Sequence, residues 1–142
     1  MALNKVTQIA DNMFDQDQFS NWLGIQRLEH GPGKAVLQMT VRKEMTNGFG
    51  IAHGGITYSL SDSAFGFACN SQGRKALSIE TSISHLAPVN IGDVLTATAT
   101  EEYLGNRISI YNVIVLNQHS EKVALFKGTA YRSKEEWTFK DQ

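Results

Sequence analysis

The spacing of apolar residues changes from helical to alternating along the chain, and this change predicts where helices and strands lie. Val6, Ile9 and Met13 recur at helical spacing, which predicts one amphipathic N-terminal helix within residues 1–20. Two alternating runs then flank the stretch HGPG. Glycine and proline between such runs favour a turn, so we expect a hairpin of two short strands.

The next segment, ITYSLSDSAFGFACNSQG, is apolar on several faces, which is typical of a buried helix. Gly73 predicts its C-terminal end, since glycine is common just past a helix. From Ala76 onward apolar and polar residues alternate through four long segments, which predicts four long strands in a meander. The first of these strands is expected to place alternating residues on one face: Leu77, Ile79, Thr81 and Ile83.

A long antiparallel sheet can bury such a helix by curling around it, because each apolar face must find a partner. The pattern therefore predicts an α+β protein with a long antiparallel β-sheet wrapped around a central α-helix. The 142 residues suit one domain, 1–142, without an internal linker. The charged residues 134–142 are expected to fray.

Composition and charge exclude several classes of function. Thirteen Lys and Arg against fourteen Asp and Glu give a net charge of −1, so no whole-chain field recruits nucleic acid or an acidic membrane. The longest aliphatic run, Val113–Leu116, is far shorter than a membrane span. A single cysteine, Cys69, and an N-terminus without the apolar region of a signal peptide predict a soluble cytoplasmic protein.

His53, Gly54 and Gly55 stand where the central helix begins. The first amides of a helix are unpaired, and together with the positive end of the helix dipole they can polarise a carbonyl and hold an oxyanion. Glycine leaves room for a substrate to reach those amides. A tight turn into the helix is the alternative interpretation of the same residues.

Asp62 lies inside the apolar helix, with Tyr58 one turn before it and Phe65 and Gly66 one turn after it. Burial tends to raise the pKa of a carboxylate, as a general base at neutral pH requires. The alternative is an aspartate that reaches solvent or bonds a neighbouring serine. Cys69 is interpreted as a core residue, and the four histidines show no spacing typical of a metal site.

The separation of Gly54 and Asp62 bears on quaternary structure. At about 1.5 Å and 100° per residue, Asp62 lies about 12 Å along the axis from Gly54 and about 180° around it from His53. One substrate carbonyl cannot reach both groups on a single helix. If both are catalytic, each site takes Gly54 from one chain and Asp62 from another, so the protein is at least a homodimer with two shared sites.

These residues resemble those of the hotdog-fold acyl-CoA thioesterases, in particular the phenylacetic acid degradation (PaaI-type) branch of the 4-hydroxybenzoyl-CoA thioesterase-like superfamily. The shared pattern combines Asn47, the HGG of residues 53–55, the LSDSA of residues 60–64, the strand LSIETSISHLAP and the GD of residues 92–93. The resemblance implies dimers joined edge to edge and homotetramers built as dimers of dimers. It also implies hydrolysis of an acyl-CoA with an aromatic (phenylacetyl or hydroxyphenylacetyl type) or medium acyl group.

The resemblance also implies a role for individual residues. Asp62 becomes the general base or the nucleophile, and the two roles stay open. The Gly54 N–H polarises the thioester carbonyl, while Asn47 and His53 assist.

Other residues are implied to contact the substrate or the attacking water. Ser78, with Thr81 as its rival, positions the water, and the substrate contacts are expected to come from Gly55, Tyr58 and Phe65. No metal or cofactor is implied, since coenzyme A is part of the substrate. Two other functions stay open, a non-catalytic acyl-CoA sensor and a hotdog enoyl-CoA hydratase or dehydratase.

Overall fold

The computed structural model describes residues 3–140, and it begins with two helices instead of one. Helix α1 spans Leu3–Gln16 and helix α2 spans Gln18–Trp22. Asp17 separates them, because its carboxylate accepts hydrogen bonds from the N–H of Ser20 (2.9 Å) and from its hydroxyl (2.6 Å) and thereby caps α2. The prediction of one helix within residues 1–20 is wrong at this cap, and residues 1 and 2 lie outside the described part.

A hairpin and a buried helix follow. Strands β1 (Gln26–Gly31) and β2 (Lys34–Thr40) pair antiparallel, which confirms the predicted hairpin. Helix α3 spans Gly54–Asn70 with Ser71 as its cap residue, so it ends one residue earlier than the prediction from Gly73. Gly73 has φ +101° and follows the helix end closely, as expected of such a glycine. Among the described residues, no helix has the length and apolar character needed to cross a bilayer.

Four long strands complete the sheet, and their bounds are β3 Arg74–His85, β4 Val94–Leu104, β5 Ile108–Leu116 and β6 Lys122–Glu136. The sheet order is β1-β2-β4-β5-β6-β3, with every neighbouring pair antiparallel. The predicted meander is wrong for β3, which lies at the far edge beside β6. Alternation along a strand reports its buried face and not its neighbour, so this order was hidden from the pattern.

Helix α3 packs on the inner face of the sheet, which confirms the prediction of a helix wrapped by strands. Phe65 on α3 packs against Tyr111 on β5 and Phe126 on β6, with ring centroids 5.9 Å apart in both pairs. Gly128 on β6 leaves room for this ring, because a Cβ there would come within 2.7 Å of Phe65. The core is therefore tightly filled beside the helical turn that carries Asp62.

A β-bulge in β3 changes which residues face α3. The register of β3 against β6 shifts between Ser78 and Glu80. Leu77 and Ile79 are 75% and 59% exposed, whereas the Thr81 hydroxyl bonds to a side chain of α3. The predicted alternation is therefore wrong for Leu77 and Ile79, because the extra residue moves the inward set by one position. After the bulge, Thr81 and Ile83 lie on the inner face as predicted.

The C-terminal segment is held against the rest of the protein. Strand β6 continues to Glu136, where the side chain of Glu135 pairs with Lys75 at 2.7 Å. Trp137 then donates its N–H to the Gly73 carbonyl (2.8 Å) and its Nε1–H to Asn70 Oδ1 (3.0 Å). The expectation that residues 134–142 fray is wrong for this part of the tail, and residues 141 and 142 lie outside the described part.

Candidate active site

The N-terminal end of α3 presents an unpaired amide. His53 is the N-cap residue, and its Nδ1 accepts a hydrogen bond from the Gly55 N–H at 2.9 Å. The Gly54 N–H has no acceptor within the described part of the chain, and all three residues are exposed. This amide and the positive end of the helix dipole can therefore polarise an approaching carbonyl oxygen.

The ring of His85, the last residue of β3, lies beside Gly54. Thr57 donates its hydroxyl to the Gly54 carbonyl at 3.1 Å, and the same hydroxyl lies 3.2 Å from His85 Nδ1. The Thr57 hydroxyl therefore links the imidazole of His85 to the first turn of α3. A Cβ at position 54 would come within 3.2 Å of Nε2, so the imidazole occupies the space that a larger residue would need.

A cavity of about 350 Å³ opens at this end of the helix. Its walls come from residues 51–52 before α3 and residues 86–89 after β3, and they are mostly apolar. Gly54, Thr57 and His85 supply its polar groups. The cavity is therefore apolar with a few convergent polar atoms, which is typical of a site that binds a small organic group.

Asp62 lies two turns further along α3, in a different environment. Its side chain is half-buried, and burial raises the pKa of its carboxyl above the usual value, with the negative charge of Asp17 adding to the increase. The neighbouring serines bond elsewhere, with Ser59 on Gly55 O, Ser61 on Thr57 O and Ser63 on Ser20 Oγ. Asp62 is therefore placed as a general base requires, half-buried and without a hydroxyl donor from these serines.

An open groove of about 500 Å³ runs from Asp62 toward the C-terminal end of α3. Ser78 lines the groove, as does one edge of Phe65, whose ring is otherwise packed in the core. Cys69 also lies along it but is 2% exposed, and burial raises the pKa of its thiol to about 12. The interpretation of Cys69 as a core residue is therefore confirmed, because a thiol in that state is not a nucleophile at neutral pH.

Asp17 brings a second carboxylate to this groove. Ser20, which donates to Asp17, is fully buried, and its hydroxyl lies 2.9 Å from that of Ser63 on α3. This chain of hydrogen bonds fixes the junction of α1 and α2 against the turn that carries Asp62. The N-terminal helices are therefore part of the site as well as of the fold.

The hydroxyls of Tyr58 and Thr81 hydrogen-bond to each other, and neither residue lines the groove. Their hydroxyls are 2.6 Å apart, and the Tyr58 ring packs edge-on against Phe126 with centroids 5.7 Å apart. Because Thr81 is engaged in this way, Ser78 is the hydroxyl that shares the groove with Asp62. The structure does not bring Tyr58 to the groove, so its contact with a substrate stays a prediction.

Asn47 closes a turn in the loop before α3. Its N–H donates to the Ile51 carbonyl at 2.8 Å, and its Oδ1 accepts from the Phe49 N–H at 2.9 Å. This is the local role that asparagine often has in turns, and the side chain is only half-buried. A contact of Asn47 with substrate stays a prediction.

Gly54 and Asp62 open into two different cavities of the same chain. Helix α3 is continuous between them, so they stay about 12 Å apart along its axis. His53 and Gly55 lie on yet another surface, with Ser59 and the 3₁₀ turn Lys43–Met45. One chain therefore holds its two candidate catalytic groups in two separate cavities, which we call half-sites.

Three residues at these half-sites escaped the sequence pattern. His85 lay within the shared strand LSIETSISHLAP but received no role there, because it reaches Gly54 only through the fold. Asp17 did carry a signal, since Asp-x-x-Ser is a helix-capping pattern, but it was hidden in a longer helical periodicity. Trp137 lies with Phe139 in a charged tail, where two aromatic residues could have suggested an anchored segment.

The sequence was compared with known families and proteins. Residues 49–124 match the Thioesterase superfamily. Acyl-coenzyme A thioesterase PaaI of Escherichia coli (strain K12) is 40% identical over 129 residues, which cover 91% of this chain and 92% of that protein. The matched range includes Gly54, Asp62 and Ser78.

Solved structures show the same architecture. The E. coli PaaI protein from the phenylacetic acid degradation operon superimposes with a TM-score of 0.93 at 38% identity, covering 97% of this chain and all of that chain. The structure of smu.793 from Streptococcus mutans UA159, bound to acetyl CoA, gives a TM-score of 0.77 at 25% identity, covering 80% of this chain and 91% of that one. The six-stranded sheet with its central helix is therefore a known arrangement.

Proposed function

This chain belongs to the thioesterase superfamily, and on that basis we propose that it hydrolyses an acyl-CoA thioester to a free acid and CoA, with Asp62 as base or nucleophile. The chain is an acyl-CoA thioesterase with the hotdog fold. The observation that carries the mechanism is the contrast along α3 between the unpaired Gly54 amide and the half-buried Asp62 carboxylate with its raised pKa. The first suits a developing oxyanion, and the second suits the activation of water.

The proposed reaction needs only these groups and water. The thioester oxygen accepts the Gly54 N–H, which makes the carbonyl carbon more electrophilic. Asp62 takes a proton from water as the water oxygen attacks that carbon, and the tetrahedral oxyanion rests on the same amide. Collapse breaks the C–S bond, and the proton held by Asp62 passes to the thiolate of CoA.

Direct attack by Asp62 is the second form of the same proposal. The carboxylate would form a mixed anhydride with the acyl group and release CoA, and water would then hydrolyse the anhydride. Both forms use the same residues and give the same products. Neither form draws on a metal or an organic cofactor, because coenzyme A enters as part of the substrate.

Two copies of the chain are needed to bring the two groups together, and we propose a homodimer with shared sites. Strand β3 supports this assembly, because it ends the sheet and is twelve residues long. Leu77 and Ile79 on it are largely exposed, and a long apolar edge strand in a soluble protein is usually covered. Pairing of dimers into a tetramer stays a prediction.

The other proposed contacts complete the site. The exposed ring of His53 and the Asn47 amide assist at the carbonyl-binding end, next to Gly55, and Ser78 positions the water beside Asp62. Tyr58 and Phe65 are proposed to bound the acyl group, which is aromatic or of medium size. The origin of E. coli PaaI in a phenylacetic acid degradation operon supports the aromatic choice. The unpaired cysteine, Cys69, supports a cytoplasmic location.

Thiol release from acyl-CoA by Asp62→Asn tests this function. The asparagine keeps the shape of the side chain and removes the base, so kcat/KM should fall by about 10²- to 10⁴-fold. Asp15→Asn is the matched control, because Asp15 is exposed on α1 and does not line the Asp62 groove. Its rate should equal that of the parent.

Three results would contradict the proposal. A parental rate in folded Asp62→Asn would remove Asp62 from the mechanism. Loss of enoyl absorbance without free thiol would indicate a hydratase. Tight binding of acyl-CoA without turnover, across a panel of aryl, short and medium acyl groups, would indicate a sensor.

A further inference from the structure

The groove beside Asp62 continues past the carboxylate along one face of α3. Gly66 and Cys69 follow Asp62 on this face, one and two turns away, and form the floor of the groove. At Gly66 a Cβ would meet no atom within 4 Å, so the floor is open just beyond the carboxylate. A glycine inside a helix weakens the helix, and this one leaves space in the groove that any other residue would take.

The side chain of Asn70 stands at the far end of this floor, and its hydrogen bonds are all made within the protein. Its amide nitrogen donates to the carbonyls of Gly66 (2.9 Å) and Ala76 (3.1 Å). Its Oδ1 accepts the Ala76 N–H (2.9 Å) and the Trp137 Nε1–H (3.0 Å). A ligand in this part of the groove therefore finds an asparagine with its two donors and its acceptor oxygen already used.

Trp137 forms the end wall of the groove. Besides its bond to Asn70, its N–H donates to the Gly73 carbonyl at 2.8 Å, and its ring stacks on Phe139 with centroids 6.3 Å apart. Lys75 lies over the indole at 5.2 Å and is also paired with Glu135. The nearest cation is thus engaged, and the wall that faces Gly66 is an indole held in place from several sides.

These features of the groove suit one part of an acyl-CoA, the acyl group, better than the other, the pantetheine arm. The pantetheine arm carries two amides, and an amide buried without hydrogen-bond partners is costly. The acyl group carries no such requirement beyond its carbonyl. In the part of the groove beyond Gly66, the side chains of Asn70 and Lys75 are already engaged within the protein. That part is therefore a poor place for pantetheine and a good one for a hydrocarbon group.

We infer that the groove from Asp62 to Trp137 is the acyl-binding pocket, with Gly66 setting its width and Trp137 its length. The inference rests on the proposed hydrolysis at Asp62. An apolar cavity of about 150 Å³ already holds a benzene ring, and this groove is about 500 Å³. The pocket accordingly takes an apolar acyl group larger than acetyl, either an aryl-acetyl or a medium aliphatic one.

A graded series at position 66 tests the width. Gly66→Ala and Gly66→Leu are assayed by thiol release from acetyl-, phenylacetyl- and octanoyl-CoA, since each added carbon in a pocket changes kcat/KM by about 10-fold or more. Gly66→Leu should lower kcat/KM for both larger substrates by about 10- to 100-fold. The loss on acetyl-CoA should be the smallest of the three, so the kcat/KM ratios of phenylacetyl- and octanoyl-CoA to acetyl-CoA should fall. The kcat/KM of Gly66→Ala for the two larger substrates should lie between the values of the parent and of Gly66→Leu.

Gly31→Leu is the matched control for the series. Gly31 lies at the β1–β2 turn, a Cβ there also meets nothing within 4 Å, and it does not line the groove. Its substrate profile should match that of the parent. The melting temperature of every variant, measured alongside, separates a narrowed pocket from a damaged fold.

Trp137→Ala tests the length of the pocket, because it enlarges the pocket where the Gly66 variants narrow it. Removing the end wall should raise the kcat/KM ratio of decanoyl- to acetyl-CoA by about 10-fold. A lower preference for large acyl groups in Gly66→Leu and a higher one in Trp137→Ala would support the assignment of the groove as the acyl-binding pocket. A higher kcat/KM for phenylacetyl- than for octanoyl-CoA in the parent would identify aryl groups as the preferred class. Equal losses on all substrates in Gly66→Leu, or an unchanged ratio in Trp137→Ala, would overturn the inference while leaving hydrolysis at Asp62 intact. Failure of the parent to hydrolyse any acyl-CoA would instead overturn the function.

Discussion

The two functional segments of α3 differ in nearly every physical property. The first turn, at His53 to Gly55, is exposed, has a free amide and carries the positive end of the helix dipole. The third turn, at Asp62, is half-buried, faces the carboxylate of Asp17 across a groove, and has a carboxyl of raised pKa. In the proposed mechanism, the first end stabilises the oxyanion and the second end carries the base or nucleophile.

The distance between the two segments keeps the Gly54 amide from lowering the pKa of Asp62 in the same chain. An amide that stabilises an oxyanion would also stabilise a nearby carboxylate and lower its pKa, which would weaken the base. The separation of about 12 Å along the axis prevents this within one chain. In the proposed homodimer, a second copy supplies the missing group from a different direction.

Among substitutions that leave Asp62 in place, the largest effect on the rate is expected at the exposed end of α3. Gly54→Ala keeps the amide but brings a Cβ to 3.2 Å from His85 Nε2, which displaces the imidazole or the helix start. A displacement of about 1 Å at a catalytic group costs up to about 100-fold in rate. We expect kcat/KM for thiol release to fall by about 10- to 100-fold.

A second substitution tells whether this clash is the cause. Gly54→Ala combined with His85→Ala removes the ring and should recover part of the lost rate. Gly48→Ala is the control, because a Cβ at Gly48 meets nothing within 4 Å. If Gly54→Ala and Gly48→Ala had the same small effect, the first turn of α3 would not be the carbonyl-binding end.

A smaller effect is expected at the half-buried end, in the pH dependence of the rate. Asp17→Asn removes a negative charge that helps to raise the pKa of Asp62, and asparagine still caps α2. Asp62 should then lose its proton at lower pH, so the acid limb of the kcat/KM profile should move toward acid. Asp15→Asn should leave the profile unmoved, and an unmoved profile in Asp17→Asn would show that the two carboxylates do not interact.

The smallest effect is on stability. The raised pKa of Asp62 means that the folded state holds a proton over a pH range where the unfolded chain has released it. The free energy of unfolding therefore falls as the pH rises through the window between the unfolded and the folded pKa. Asp62→Asn has no carboxyl at this position and therefore no such loss of stability. The difference in melting temperature, Asp62→Asn minus parent, should be larger at pH 7 than at pH 4. A constant difference at both pH values would contradict the raised pKa.

Local periodicity predicted the elements of the fold but not their arrangement. The alternation of apolar residues predicted six strands and a buried helix, because burial on one face leaves a mark in the sequence. It did not predict that β3 pairs with β6, since strand order depends on contacts distant along the chain. The bulge at Ile79 was also invisible, and it is what turns both Ser78 and Thr81 toward α3.

The candidate site divides in the same way. Asp62 and Gly54 were visible because a carboxylate in an apolar helix and a glycine pair at its start break the local pattern. His85 lies in a strand of the shared family pattern, but its approach to Gly54 depends on β3 folding back along α3, so the sequence pattern assigned it no role. Asp17 and Trp137 come from the two ends of the chain, so their shared groove exists only in three dimensions.

The central claim is that each site takes its carboxylate from one chain and its amide from another, and a purified hybrid tests it most directly. Asp62→Asn subunits with one affinity tag are combined with Gly54→Leu subunits carrying a second tag, and the hybrid dimer is isolated through both tags. In a shared arrangement one site carries both lesions and the other carries none. The hybrid should therefore recover about half of the rate of thiol release of the unsubstituted protein, although each single mutant is nearly inactive on its own. A verified hybrid dimer as inactive as the two mutants would show that both groups act within one chain, and it would contradict the account.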